Sequence, residues 1–246
     1  MNAQVVTVCS HNRPELYYRP DSFIESLARF AEKPTILGST TPFMGLMTKA
    51  FLYRDWLRAG NNTSDRLILC DAFDILFLAH PHGIGDRCQE WFGDAVVFNG
   101  EKSLWPCGHL ADDFPDTGPY RYLNSGFICG PADKILAMFE SMDLESIGVD
   151  RANPDGSRTE PNDQGEIQKI FGKQPVKMVV DGTARLAMTF SATEPSDFEL
   201  RDRVLHNRLT GTTPGVAHFN GSGFNNYHHL FRAHWEFKDE KGPIPL

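Results

Sequence analysis

Two aspartates, Asp71 and Asp74, close the apolar run Leu67-Ile68-Leu69-Cys70 with only Ala72 and Phe73 between them. The run reads as a buried strand, so both carboxylates stand at its carboxyl end, the edge where ligands bind in open α/β sheets. Carboxylates placed together repel unless a cation or a proton sits between them. A hard divalent ion such as Mn²⁺ or Mg²⁺ would relieve that repulsion and also hold a diphosphate. On the tetrapeptide alone, a turn with one Asp capping the next segment is the competing reading.

A second chemical segment is Val216-Ala217-His218-Phe219-Asn220-Gly221-Ser222-Gly223, an apolar strand running into a His and a Gly-rich turn. An imidazole there could ligate a metal beside backbone amides that face phosphate. Taken alone, the segment is better read as a plain His in a glycine turn. The segment 122–127, Tyr-Leu-Asn-Ser-Gly-Phe, and the triplet Asn162-Asp163-Gln164 at a helix start offer polar groups that turn or cap chemistry would also explain. His80, His82 and His109 fall in loops without partners at ligand spacing. His228 and His229 read as surface residues of the last helix. Glu101 and Lys102 read as a surface ion pair, and Asp112 and Asp113 as solvated.

The elements that must position these groups alternate between buried strands and amphipathic helices. Strands are expected at 4–9, 34–37, 66–70, 75–78, 95–98, 176–180, 204–206 and 216–218. Helices are expected at 22–31, 44–57, 83–92, around 135–139, 164–171 and 225–235. The order argues for an α/β fold with a mostly parallel sheet, and no linker marks a second domain, so one domain over 1–246 is expected. Residues 100–120 and 148–161 read as long loops, the length at which loops carry function or disorder. Phe23, Leu27 and Phe30 line one helix face and belong to the core.

The chain has 246 residues, with 24 Lys and Arg against 32 Asp and Glu, a formal charge of −8. That balance excludes nucleic acid or an anionic membrane as partner, since either demands a basic surface. The five cysteines are scattered without metal spacing, and no apolar run reaches the length of a membrane span. The amino terminus carries no basic, apolar and cleavable pattern. A cytoplasmic protein with reduced thiols is expected.

Five segments in order, 69–77, Glu101-Lys102-Ser103-Leu104-Trp105-Pro106, 123–128, 162–164 and His218-Phe219-Asn220-Gly221, resemble the glycosyltransferase domain of the procollagen lysyl hydroxylases. The likeness runs over roughly residues 4 to 230. It implies a GT-A fold, a Rossmann-like nucleotide half with the acceptor side built from later loops, and a UDP-sugar donor held through Mn²⁺, with Mg²⁺ the alternative. By that resemblance Asp71, Asp74 and His218 match the metal ligands, and Ser10, Lys49, Asp71, Asn220 and Gly221 the donor-binding positions. Asp163, Trp105 and Asn124 match the catalytic positions, Trp105 as the aromatic residue over the sugar. Phe224 stands near a Lys of the family pattern, and the acidic run before Gln164 is thin. No hydroxylase-like stretch accompanies these motifs, so a collagen-like acceptor is not implied and the hydroxyl acceptor stays open. Two other readings remain at this stage, a sugar-nucleotide-binding domain without turnover and another metal enzyme acting on nucleotide phosphates.

Overall fold

The computed structural model describes residues 2–10, 21–144 and 161–235. Most of the expected 148–161 loop therefore lies outside the described residues. Eleven strands are present in these segments: β1 (Ala3–Val8), β2 (Thr35–Leu37), β3 (Arg66–Cys70), β4 (Ile75–Phe77), β5 (Val96–Glu101), β6 (Tyr122–Pro131), β7 (Met178–Asp181), β8 (Ala187–Thr189), β9 (Phe198–Arg201), β10 (Val204–Asn207) and β11 (Val216–His218). The helices are α1 (Asp21–Ala28), α2 (Thr48–Arg58), α3 (Pro81–Phe92), α4 (Ala132–Glu140), α5 (Asp163–Phe171) and α6 (His229–His234).

The main sheet has the order β2-β1-β3-β6-β5-β7. Its pairings are parallel except where β6 runs antiparallel between β3 and β5. A sheet covered on both faces needs strands that are apolar on both sides, and β3 shows why. Leu67 and Leu69 join the core under α2, α4 and α5, while Ile68 and Cys70 join the core under α1 and α3. A smaller sheet, β4-β11-β8, packs over a third, aromatic core built on Phe190, Phe219 and Phe231. Phe23 and Leu27 are fully buried, as their spacing predicts, with Phe30 partly buried beside them.

The expected elements recur with shifted ends, and α2 begins four residues later than its apolar pattern. Three strands are additional. β8 and β9 are short, but β6 is the longest strand and sits mid-sheet, where the sequence suggested only turn chemistry. Asn124, Ser125 and Gly126 interrupt its apolar run, and polar residues buried by tertiary pairing leave no period to read. All five cysteines are free thiols. Among the described residues no helix is long and apolar enough to cross a membrane.

Candidate functional site

Register brings the chemical residues together. β4 pairs antiparallel with β11, setting His218 opposite Ile75 and beside Asp74. The Phe219 N–H donates to the Asp74 carbonyl at 2.7 Å, fixing that corner. β3 pairs with β6 so that Cys70 faces Phe127, and the Asp71 N–H donates to the Gly126 carbonyl at 2.9 Å. His218 Nε2 thereby lies 3.4 Å from Asp74 Oδ2 and 3.9 Å from Asp71 Oδ2. Gly126 makes this approach possible. A Cβ there would collide with the His218 ring and stand 2.8 Å from Asp71 Oδ2.

His218 is buried, and its Nε2 has no hydrogen-bond partner. The other ring nitrogen is held from behind. Between Phe98 and Asn99 the β5–β6 register slips, and the Asn99 amide fills the gap. In the orientation that satisfies every polar atom, its nitrogen donates to the Asn124 carbonyl (2.8 Å) and the Phe127 carbonyl (3.3 Å). Its oxygen accepts from His218 Nδ1 at 2.9 Å. That bond places the ring proton on Nδ1 and turns the Nε2 lone pair toward the two aspartates, the arrangement that a metal-ligating histidine takes.

Lys49, on α2, reaches into the same pocket. Its Nζ lies 2.7 Å from Asp71 Oδ1 and 3.0 Å from Asp163 Oδ2. Burial alone would lower the Lys49 pKa, but the facing carboxylates of Asp163 and Asp71 raise it. Burial, with Asp74 alongside, pushes the Asp71 carboxyl up despite Lys49. For Asp74 burial is outweighed by His218, which holds its pKa below the ordinary carboxylate value. Reciprocally, burial disfavours a charged His218, yet Asp74 and Asp71 raise it. The helix cap left open by the sequence belongs to Asn162, whose Oδ1 accepts from the Gly165 N–H at 2.7 Å. Asp163 is released from that task and points at Lys49.

A buried polar network forms the floor. Glu101 is not half of a surface ion pair. It is buried and accepts from Gln164 Nε2 (2.8 Å) and Asn220 Nδ2 (2.9 Å), while Lys102 pairs with Asp197. Burial raises the Glu101 carboxyl to about 7 against those two donors. Gln164 also donates to the Trp105 carbonyl and accepts from the Ser125 N–H, and Gln168 donates to the same carbonyl at 2.8 Å. The backbone at Trp105 is thus anchored while its side chain is 53% exposed.

The remaining candidates divide by what their side chains already hold. Ser10 lies two residues beyond β1, at the same sheet edge as Asp71, because β1 and β3 run parallel with Thr7 opposite Cys70. Asn124 Oδ1 accepts from the Gly126 N–H at 2.8 Å, which shapes the strand beneath His218. The Asn220 amide accepts from Phe190 N and Ser191 N and donates to Glu101, so its side chain is committed to the turn. Gly221 has φ +56°, the left-handed conformation that keeps a side chain out of this corner. Phe224 lies in a π-helical turn, Phe224–His228, with its ring stacked on His228 at 4.5 Å. His228 is buried rather than a surface residue, and burial lowers its pKa to about 4.

Asn99, Glu101 and Gln168 went unread as site residues in the sequence. The one local signal was a polar Asn closing the apolar run 95–98. Among the described residues, Asp71, Asp74 and His218 form one of two groups whose donor atoms lie close enough to hold a metal. The unpartnered, buried Nε2 facing two carboxylates fits such an ion.

Residues 1–151 match the family described as the PLOD GT domain. The procollagen-lysine,2-oxoglutarate 5-dioxygenase of Drosophila melanogaster is 26% identical over 185 residues, 70% of this chain and 24% of that protein. The uncharacterized protein R699 of Acanthamoeba polyphaga mimivirus is 26% identical over 169 residues, 67% of this chain and 33% of its own length. The chain therefore spans about a quarter to a third of these curated relatives. Among solved structures, galactosyltransferase LgtC in complex with donor and acceptor sugar analogs aligns with a TM-score of 0.54 and 12% identity over 97% of both chains. A glycosyltransferase involved in glycosylation of the major capsid of PBCV-1 aligns with a TM-score of 0.53 and 12% identity, over 92% of this chain and 98% of that one. These likenesses establish the GT-A fold.

Proposed function

Since the chain belongs to the family of PLOD GT domains, we propose that it transfers a sugar from a UDP-sugar to a hydroxyl acceptor with the help of Mn²⁺. The observation that carries the metal is His218 Nε2, buried without a hydrogen-bond partner and facing Asp74 and Asp71 at 3.4 and 3.9 Å. Two carboxylate oxygens and one imidazole suit Mn²⁺, a hard ion that tolerates nitrogen, and Mg²⁺ is the alternative. Bound there, the ion would stabilise the negative charge that develops on the departing diphosphate.

The protein's own groups do the rest. In the transfer the bond from the sugar anomeric carbon to the diphosphate oxygen breaks. A bond from that carbon to the acceptor oxygen forms, and the hydroxyl proton leaves. Lys49 presents a permanent positive charge beside Asp71 for the diphosphate. Asp163, uncapped and aimed into the pocket, orients the acceptor hydroxyl and is the nearby carboxylate for its proton. Trp105, anchored through its carbonyl and open on its ring face, covers the sugar and limits water. Holding the two reactants in this way is worth on the order of 7–11 kcal/mol of barrier. Phe224 stands near a Lys of the family pattern, so one phosphate contact is lost, which permits the second reading of a sugar-nucleotide-binding domain without turnover.

The test is UDP release from a set of UDP-sugars with Mn²⁺, read beside thermal shifts with UDP. A ligand at 100 times its Kd adds about 2.7 kcal/mol of stability, a melting shift of several degrees for a chain of this size. The expected result is UDP release with Mn²⁺ and a far larger UDP shift with Mn²⁺ than with chelator. Shifts without any UDP release would select the binding domain. Equal shifts with Mn²⁺ and with chelator would refute the metal bridge.

A further inference from the structure

In the sequence His80 and His82 lack a partner at ligand spacing, and the fold supplies one. Glu32 follows α1 in the chain leading to β2, while His80 and His82 flank Pro81 at the start of α3. Nε2 of His82 and Nε2 of His80 lie 3.4 and 3.8 Å from the same atom, Glu32 Oε1. The donor atoms of all three fall within 4.8 Å of one another. The imidazole centroids are 4.7 Å apart, and His80 packs on Phe30 at 5.7 Å, which restricts its swing.

Two imidazoles and one carboxylate favour a borderline ion over a hard one. In a tetrahedral zinc site with bonds of about 2.0–2.2 Å, adjacent donors stand about 3.4 Å apart. The observed 3.4 and 3.8 Å approach that spacing and exceed the roughly 2.7–3.2 Å of ordinary hydrogen bonds. The donors are part-exposed, so an ion and its completing water can reach them. We propose that Glu32, His80 and His82 form a second cation site, for Zn²⁺ or a similar borderline dication, tying the chain after α1 to the start of α3. It is separate from the Asp71–Asp74–His218 group. Asp74 immediately precedes β4, and His80 comes three residues after β4 ends.

Occupancy has one local consequence. His80 Nδ1 accepts the His82 N–H at 3.2 Å and caps α3. A metal on Nε2 moves the ring proton to Nδ1, so that cap bond is exchanged for the metal bond. The discriminating variant is therefore His80→Asn with His82→Gln, because Asn preserves a cap while removing the ligand.

The experiment is calorimetric Zn²⁺ titration of the untagged full chain, paired with visible absorption of its Co²⁺ form. Wild type and Asp74→Asn should both show the site, with the intense bands of tetrahedral Co²⁺. The double variant should lose those bands and bind Zn²⁺ at least about tenfold more weakly, the scale on which even outer-shell losses register. Glu32→Gln serves as an independent ligand deletion should the double variant not fold. Unchanged Zn²⁺ affinity in these variants would overturn the proposal, as would loss of the Co²⁺ bands in Asp74→Asn alone.

Discussion

Gly126→Ala tests whether the Asp71–Asp74–His218 pocket is a metal site with defined geometry. The new methyl would stand 2.7 Å from His218 Nε2 and 2.8 Å from Asp71 Oδ2, and closer still to His218 Cε1. Restoring ordinary contact requires the imidazole to retreat by roughly 1.3 Å at Cε1, its closest atom, and by roughly 0.7 Å at Nε2. The backbone cannot supply it, because β6 is locked between β3 and β5. His218 is held from behind by Asn99 at 2.9 Å, and Asp71 is held by Lys49 at 2.7 Å. Overpacking of this kind costs about 1–3 kcal/mol, a melting temperature lower by roughly 2–12 °C. Metal ligation is less forgiving, since donor distances hold within about 0.2 Å. A displacement several times that should raise the Mn²⁺ requirement for UDP release by at least about tenfold, while a folded protein persists. The assay is a Mn²⁺ titration of UDP-sugar hydrolysis beside a melting curve. A folded Gly126→Ala protein with the wild-type Mn²⁺ requirement would refute the argument that these three side chains share an ion.

Three further outcomes are expected. Trp105→Ala should cost far less than the about 3–5 kcal/mol of a core tryptophan, because the ring is 53% exposed, yet it should sharply lower donor turnover; a large fall in melting temperature with turnover per folded molecule intact would contradict that. His218 must be neutral to ligate, and Asp74 and Asp71 raise its pKa in the metal-free protein. The Mn²⁺ requirement should therefore climb as pH falls toward and below the ordinary His value of about 6.5. His218→Ala should flatten that dependence and raise the requirement at pH 7.5, and an unchanged requirement there would exclude His218 as a ligand. Glu101 titrates near 7 rather than 4.5, so without metal the folded state binds the extra proton between these values. Its contribution to stability is full in acid and is lost as pH rises through about 7. Glu101→Gln should make the melting temperature fall less steeply over that window, and an unaltered slope in chelator would place the titration elsewhere.

Much of this arrangement was legible in the chain. Leu67-Ile68-Leu69-Cys70 is apolar at every position, which only a strand buried on both faces tolerates, and Asp71 then falls at the ligand edge by necessity. The position of His218 beside Asp74 was not legible, because it depends on pairing β11 with β4, about 140 residues earlier in the chain. β6 was hidden by its own composition. Gly126 makes room for the imidazole and Asn124 binds Asn99 at the register slip, and with Ser125 between them these polar or small types erase the strand signal. Glu101 failed for a related reason, since a carboxylate next to a Lys reads as a surface pair unless the donors from Gln164 and Asn220 are known. His228 gave no warning of burial, because one of the rings packed on it, Phe219, follows β11 and reaches it only through tertiary packing.

The charge distribution around the pocket is consistent with the proposed ion. Asp71, Asp74 and Asp163 converge there, and unrelieved repulsion between carboxylates this close and partly shielded from water would open the sheet edge or force protons onto them. Lys49 meets Asp71 and Asp163 together and is itself partly buried, so its ammonium is kept charged by the groups it calms. Three carboxylates facing one ammonium make a corner that would suit a dication. The remaining tension falls on Asp71, whose carboxyl is pushed up, and on His218, whose imidazole is pushed toward the charged form by Asp74. Both shifts would be relieved together by a divalent ion held in place of a proton. The anchoring is arranged to survive that exchange. Asn99 holds His218 from the side away from Asp71 and Asp74, and Lys49 holds Asp71 by Oδ1, leaving Oδ2 turned toward His218.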